Sequence, residues 1–259
     1  VIELRPYQKT IIDIGSQTLL SRGFVYLAME VRTGKTLTSL GIADRVKAVN
    51  VLFVTKKKAI SSIEDDYQLL NPSFNLTTIN YESIHKIPDI QWDVIICDEA
   101  HSMGAFPKPS KRAKQVKELI GKTKPFVILL SGTPTPESFS QMYHQVYGIP
   151  TNPFAHYKNF YRFSDDYVNV RIKPIGGLQI RDYSAGHESI LEMMRPFTIN
   201  FSQKNAGFEV QTTEEILYVR MKDATYSLAK KLQKHLVVEG KDEVIMGDTP
   251  VKLMSKLHQ

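Results

Sequence analysis

The sequence predicts an α/β protein: a parallel β-sheet with helices on both faces, followed by a smaller mixed α+β extension. Three observations predict it. Apolar runs and helix-like segments alternate from about residue 20 to residue 148. The runs are nearly continuous in Val, Ile, Leu and Phe, the pattern of strands buried on both faces. Three unusual stretches, VRTGKT, DEAH and SGTP, each follow directly on such a run. Ligands of open α/β sheets bind at the carboxyl ends of the strands. The three stretches are therefore expected on one rim.

Taken in order, Pro6 sits at a plausible first helical turn. Ile11, Ile12, Ile14, Leu19 and Leu20 then give a rough helical face. FVYLAM at 24–29 is a strand leading into the GKT loop, and TLTSLGIADRV after it reads as a helix. VNVLFVT at 49–55 is a strand, KKAISSIEDDYQLL a helix and LTTIN at 76–80 a strand. WDVIICDEAH at 92–101 is a strand that ends in charge. KRAKQVKELI at 111–120 is a helix, with Lys111, Arg112, Lys114 and Lys117 on a solvated face. PFVILLSGTP at 125–134 is a buried strand with a tight loop, and FSQMYHQVYG a helix stopped by Gly148.

After Pro150 the pattern changes, which divides the chain into 1–150 and 151–259. The stretch from Phe154 to Tyr167 is aromatic; it could stack bases, but such clusters more often seal a subdomain. YVNVRIKPIGGLQIRDY reads as a hairpin about Gly176 and Gly177. SILEMM is a short helix, EEILYVRM at 214–221 alternates like a strand, and ATYSLAKKLQKHLVV is a basic amphipathic helix.

Composition excludes several classes. Hydrophobic residues make up 42% and charged residues 23% of the 259, as in soluble globular proteins. No apolar run approaches bilayer-spanning length and no secretory signal opens the chain. No membrane partner is expected, and a reducing cytoplasm fits. The single cysteine, Cys97, excludes a disulfide framework and a cysteine-rich zinc site; it reads as a core residue. A net charge of +6 is compatible with a polyanionic partner and equally with a solvated basic surface. The chain begins at Val, which suggests a piece of a longer protein.

The GKT at 34–36 sits where a phosphate loop needs it, between a strand and a helix. Backbone N–H groups of such a loop and of the helix start point at phosphate oxygens. Gly34 permits a close backbone approach, Lys35 reaches the terminal phosphates, and the Thr36 hydroxyl can ligate Mg²⁺. The usual pattern has a glycine five residues before Gly34, where this chain has Met29. Asp98 and Glu99 strengthen the nucleotide reading, because carboxylates at the end of a buried strand are costly unless they bind something. Asp98 across from Thr36 would hold the Mg²⁺, and Glu99 would polarise the attacking water of ATP hydrolysis.

With these motifs in hand, the chain resembles the first RecA-like lobe of a superfamily 2 helicase or translocase, a P-loop NTPase fold. Within that group it is most similar to the sucrose-non-fermenting (Snf) remodeller type, in its compact phage or bacterial form. LRPYQ at 4–8 resembles the adenine-recognising Q motif and MEVRTGKT motif I, a version that lacks the first glycine. VLFVTKKKAI resembles motif Ia, TTINYESI motif Ib, DEAH motif II and SGTPTPES motif III. The resemblance implies that Gln8 pairs with adenine, supported by Arg5 and Tyr7. Arg32 and Thr33 belong to the loop that holds the nucleotide. His101, Ser131 and Thr133 would link that site to motif III. Thr55, Lys56, Lys57, Lys58, Tyr81 and Ser83 would form a nucleic-acid backbone track; the lysines could equally be a solvated helix start. Lys56 departs from the family, where Pro is common.

The implied ligands are ATP and Mg²⁺. The implied partners are double-stranded or branched DNA and a second RecA-like lobe of the same protein, which supplies arginine fingers. No such second series of motifs appears before the final LHQ, so weak turnover by this lobe alone is expected. Two rival readings stand beside the DNA-driven motor: the motor lobe of a restriction or repair complex, and a nucleotide-dependent binding module that never hydrolyses ATP.

Overall fold

A computed structural model of the chain describes residues 2–175, 178–207, 218, 220, 222–235, 237–239 and 244–246. In chain order the elements are α1 (Pro6–Arg22), β1 (Phe24–Met29), α2 (Lys35–Arg45), β2 (Asn50–Thr55), α3 (Ile60–Leu70) and β3 (Asn75–Asn80). They continue with β4 (Val94–Cys97), α4 (Lys111–Thr123), β5 (Phe126–Ser131), α5 (Met142–Gln145), α6 (Phe160–Tyr167), β6 (Arg171–Ile175) and β7 (Leu178–Asp182). The last are α7 (Ser189–Met194), β8 (Thr198–Phe201), α8 (Asp223–His235), β9 (Val237–Glu239) and β10 (Val244–Met246).

Six strands form one sheet in the order β3-β2-β4-β5-β1-β8. Every neighbouring pair in it is parallel. The carboxyl ends of all six therefore face the same way, which delivers the rim the sequence predicts. Because β5 lies between β4 and β1, the SGTP loop emerges between DEAH and GKT.

Side chains alternate across a strand, so β1 faces two layers. Val25, Leu27 and Met29 join Ile11, Ile12 and Leu19 of α1 and Leu40, Ile42 and Ala43 of α2 in one core. On the opposite face Phe24 stacks on Phe197 with ring centroids 4.5 Å apart. There the Tyr26 hydroxyl donates to Gln145 Oε1 of α5 at 2.7 Å. Fully burying an apolar side chain of this size stabilises the fold by about 1.5–3 kcal/mol.

Some expected elements differ. The buried face of α1 is Gln8, Ile11, Ile12, Gly15, Ser16 and Leu19, at the spacing of a straight helix. Ile14 and Leu20, expected on that face, are exposed. The helix expected from Lys57 starts as a 3-10 turn over Lys57–Ala59 before α3. FSQMYHQVYG forms a 3-10 turn at Phe139–Gln141 and the single turn of α5, ending before Gly148. The face of α4 is not simply wet: Arg112 donates to Glu82 and lies over the Tyr81 ring, and Lys117 Nζ donates to the Tyr147 hydroxyl at 2.9 Å. The proposed helix to Val238 ends at His235, and Val237–Glu239 is a strand.

The chain divides into two compact units, Val1–Asn169 with Ser184–Glu209, and Val170–Tyr183 with Val210–Gln259. The first holds the six-stranded sheet. Its aromatic segment seals packing: Phe154, Phe160 and Phe163 are buried, and Phe163 lies 4.8 Å from Tyr143 of α5 between ring centroids. Cys97 is buried in β4, and burial pushes its thiol up to about 12. The second unit contains the antiparallel pair β6–β7, tied by a Lys173–Asp182 ion pair, the pair β9–β10, and α8. The hairpin turn at Gly176 and Gly177 and, apart from Tyr218 and Arg220, the expected strand at 214–221 lie outside the described residues.

A candidate nucleotide site on the carboxyl rim of the sheet

β1 ends at Met29 and the chain turns through Glu30–Gly34 into α2. Two residues of this loop have left-handed backbones, Arg32 at φ 62° and Gly34 at φ 76°. Gly34 is needed twice over. A side chain is strained at that φ, and a Cβ there would lie 2.4 Å from Gln8 Nε2. Thr33 is buried and its hydroxyl donates to Glu30 O at 2.6 Å, closing the loop on itself. Lys35 Nζ donates to the same carbonyl at 3.1 Å. Burial pushes the Lys35 pKa down, and the Asp98 and Glu99 carboxylates push back.

The LRPYQ segment lies against this loop. Gln8 is buried; its Oε1 accepts the Arg5 N–H at 2.9 Å and its Nε2 donates to Gly34 O at 3.4 Å. The Tyr7 hydroxyl donates to Thr33 O at 3.2 Å and receives Arg5 Nη1 at 3.3 Å. In this arrangement both polar ends of Gln8 hold the helix start and the phosphate loop.

Asp98 follows β4. Its carboxylate accepts the Thr55 hydroxyl at 2.7 Å and its carbonyl accepts the Tyr81 hydroxyl at 2.7 Å. Burial raises the Asp98 pKa, the Thr55 bond lowers it, and the neighbouring Glu99 raises it again. Glu99 has a left-handed backbone at φ 50°, an uncommon and costly state for this residue type. Its Oε1 accepts Lys56 Nζ at 3.1 Å and its Oε2 lies 3.4 Å from His101 Nδ1. Burial lowers the His101 pKa, and the Glu99 carboxylate pushes it back up. His101 Nδ1 also meets Ser131 Oγ at 2.9 Å, and Ser131 Oγ accepts the Thr133 N–H at 3.1 Å. A continuous polar chain therefore runs from Glu99 through His101 and Ser131 to the SGTP loop.

The rim thus gathers Gln8, Thr33, Gly34, Lys35, Thr55, Lys56, Asp98, Glu99, His101, Ser131 and Thr133 into linked contacts. Thr36, in the first turn of α2, is partly exposed beside them. The expected track residues fare unequally. Thr55 and Tyr81 are fully buried, with their hydroxyls on Asp98. Lys56 is engaged with Glu99. Lys57 and Lys58 are exposed and Ser83 is partly exposed.

One residue is not singled out by the sequence. Gln203, just past β8, has its backbone N–H on Glu30 Oε2 at 2.7 Å and its Nε2 on Val31 O at 2.8 Å. Glu30 N–H also donates to Phe201 O at 2.9 Å. The first half of the loop, which has no glycine at position 29, is pinned from outside by the β8 edge. The signal was the TINFSQ segment itself, a short apolar alternation ending in polar residues like the other rim loops.

The residues fit a magnesium nucleotide. The loop turns at Gly34 through φ 76°, the Lys35 ammonium feels the Asp98 and Glu99 carboxylates, and Thr36 lies in the first turn of α2. Among the described residues no group of three or more His, Cys, Asp or Glu side chains could hold a metal. Mg²⁺ takes one or two carboxylates and completes its shell with phosphates and water.

The SNF2-related domain family matches residues 27–259. The chain belongs to that family. RNA polymerase-associated protein RapA of Yersinia pestis (strain Pestoides F) is 32% identical over 80 residues, 31% of this chain and 8% of that protein. RapA of Serratia proteamaculans (strain 568) is 32% identical over 95 residues, 36% of this chain and 10% of that protein. The matched segments thus span a tenth or less of these relatives. The Sulfolobus solfataricus SWI2/SNF2 ATPase core in complex with dsDNA aligns with 99% of this SNF2-related domain and 57% of its own chain, at TM-score 0.58 and 17% identity. The SWI2/SNF2 ATPase core domain of the same organism aligns with 91% and 52%, at TM-score 0.57 and 16% identity. At such identities the likeness is one of fold. No helix among the described residues is long and apolar enough to cross a membrane.

Proposed function

We propose that this SNF2-related domain is the ATP-binding motor lobe of a DNA-dependent ATPase, one that couples hydrolysis to movement along duplex DNA. In this reading residues 1–150 are the lobe proper and 151–259 its extension. The observation that carries it is the convergence of Lys35, Asp98 and Glu99, with the His101–Ser131–Thr133 chain, at the ends of three adjacent parallel strands. The solved SWI2/SNF2 core with dsDNA, alike in fold, supports duplex DNA as the partner.

The geometry supports the following roles. The loop from Glu30 to Gly34 and the first turn of α2 receive the phosphates through backbone N–H groups. Lys35, released from Glu30 O, contacts the terminal phosphate. Thr36 and Asp98 would hold Mg²⁺, which when bound neutralises charge developing on the phosphate oxygens. Glu99 orients a water and accepts its proton as the oxygen attacks the γ-phosphorus and the bond to the β-phosphate oxygen breaks. Gln8, Tyr7 and Arg5 brace the loop and border the place of the base. His101, Ser131 and Thr133 carry the state of that site to the SGTP loop. A second RecA-like lobe would add an arginine finger, a contribution of about a thousandfold or more in rate.

The test is the ATPase rate of the complete natural protein with duplex DNA, single-stranded DNA, RNA or no nucleic acid. The proposal expects stimulation by duplex DNA above all. Nucleotide binding without turnover under every condition would refute the motor and favour a binding module.

A further inference from the structure

We propose that Lys56 is a phosphate-sensing latch on Glu99. Without nucleic acid its ammonium holds the Glu99 carboxylate, and a backbone phosphate that takes up Lys56 releases it. The inference rests on the proposed function, and joins two residues that reading treats separately.

The placement is fixed by the sheet. Lys56 directly follows β2, whose last residue, Thr55, is buried and bonded to Asp98. The main chain at Lys56 is thereby anchored beside the acidic rim, while its side chain remains 52% exposed. The Nζ–Oε1 contact is 3.1 Å. Glu99 is equally constrained. Its backbone is left-handed, φ 50°, and its Oε2 lies 3.4 Å from His101 Nδ1. With His101 Nδ1 turned to Ser131 Oγ at 2.9 Å, Lys56 makes the one side-chain hydrogen bond to the Glu99 carboxylate among the described residues.

This bond puts the carboxylate in the wrong company for catalysis. An oxygen that accepts from an ammonium offers less to a water, and the carboxylate is drawn toward β2. The pair is also weak enough to be switched. Ion pairs this exposed are typically worth a factor of about 1.5 to 5 in equilibrium. Nucleic-acid phosphates compete strongly for lysine because binding releases condensed counterions. Lys57 and Lys58, exposed in the next turn, extend the cationic stretch on which a phosphate backbone would settle. Lys56 stands at its inner end, within reach of the acid.

Because Glu99 and phosphate compete for one ammonium, the coupling is reciprocal and can be measured without turnover. The affinity of the complete natural protein for a short mixed-sequence duplex DNA is measured at fixed salt, without nucleotide. Wild type, Glu99→Gln, Lys56→Met and the double variant form the cycle. The latch requires Glu99→Gln to tighten duplex binding about 1.5- to 5-fold, and the same change to have no effect once Lys56 is Met. No tightening overturns the proposal. Equal tightening in both backgrounds also overturns it, because Glu99 then acts only as a distant negative charge. In ATPase assays Lys56→Met raises the DNA-free rate by a similar factor and shrinks the fold stimulation by DNA, whereas Lys56→Arg keeps both. An unchanged DNA-free rate in Lys56→Met counts against the latch. Absence of turnover in wild type would refute the motor reading, and the binding cycle would still judge the latch by itself.

Discussion

Replacing Gly34 by Ala tests whether the loop is built around a position that only glycine can fill. At φ 76° a Cβ costs about 1–2 kcal/mol. The added methyl would also lie 2.4 Å from Gln8 Nε2, so the Gln8 amide must move. Its bond to the Arg5 N–H, 2.9 Å long, is then lost or lengthened, a further ~0.5–1.5 kcal/mol. The total is about 1.5–3.5 kcal/mol. The native loop either carries this as strain or relaxes out of the phosphate-binding shape. In the first case thermal unfolding reports it, at about 2–4 °C per kcal/mol for a domain of this size. In the second, ATP affinity falls roughly 10- to 400-fold. Calorimetric titration with Mg-ATP, paired with a thermal melt of the same preparation, reads both. A variant that binds ATP within twofold of wild type and melts within 1 °C, about half the shift expected from even one kcal/mol, would refute the reasoning.

Thr55→Val removes the hydroxyl that holds the Asp98 pKa down against burial. The Asp98 pKa then rises further. Since metal binding needs the carboxylate ionised, the acidic limb of the pH–rate profile moves to higher pH. An acid whose folded pKa lies above its unfolded value costs stability as it ionises. The variant is therefore least stable relative to wild type above the ordinary carboxylate range, by about 1–3 kcal/mol, and the gap closes in acid, as denaturant melts at several pH values would show. Tyr81→Phe loses the bond to Asp98 O and lowers stability by about 0.5–1.5 kcal/mol. Because the ring is fully buried, duplex affinity stays unchanged, and a loss of DNA binding would contradict its placement. Gln203→Ala frees Val31 O from its brace and raises the KM for ATP with little change in kcat; steady-state kinetics decide, and a fall in kcat alone would contradict it.

Much of this was legible because the informative residues sit where strong periodic signals end. FVYLAM, VIIC and FVILLS are unbroken apolar runs, and parallel pairing forces their carboxyl ends together. GKT, DEAH and SGTP therefore fall on one rim from the sequence alone. The β8 strand was not legible. TINF is four residues long, follows the short helix α7, and is only partly buried at the sheet edge, so it lacks both the length and the continuity of the other strands. The brace at Gln203 was hidden for the same reason, being 173 residues from Glu30. Tyr81 and Thr55 were placed near the right strand ends, but the inward direction of their hydroxyls depends on neighbouring strands that a linear pattern does not encode. Ile14 and Leu20 show the opposite error: apolar residues at a helix were counted as its face although a straight helix turns them outward.

In the proposed function the carboxyl rim is a hydrolytic Mg-ATP site, and Glu99 serves the chemistry rather than the binding. The most direct measurement compares ATP affinity and DNA-stimulated turnover in Glu99→Gln and wild type of the complete protein. The account predicts ATP affinity within about threefold and turnover reduced by about a hundredfold or more. Turnover within tenfold of wild type would contradict it, as would loss of binding and turnover in equal measure.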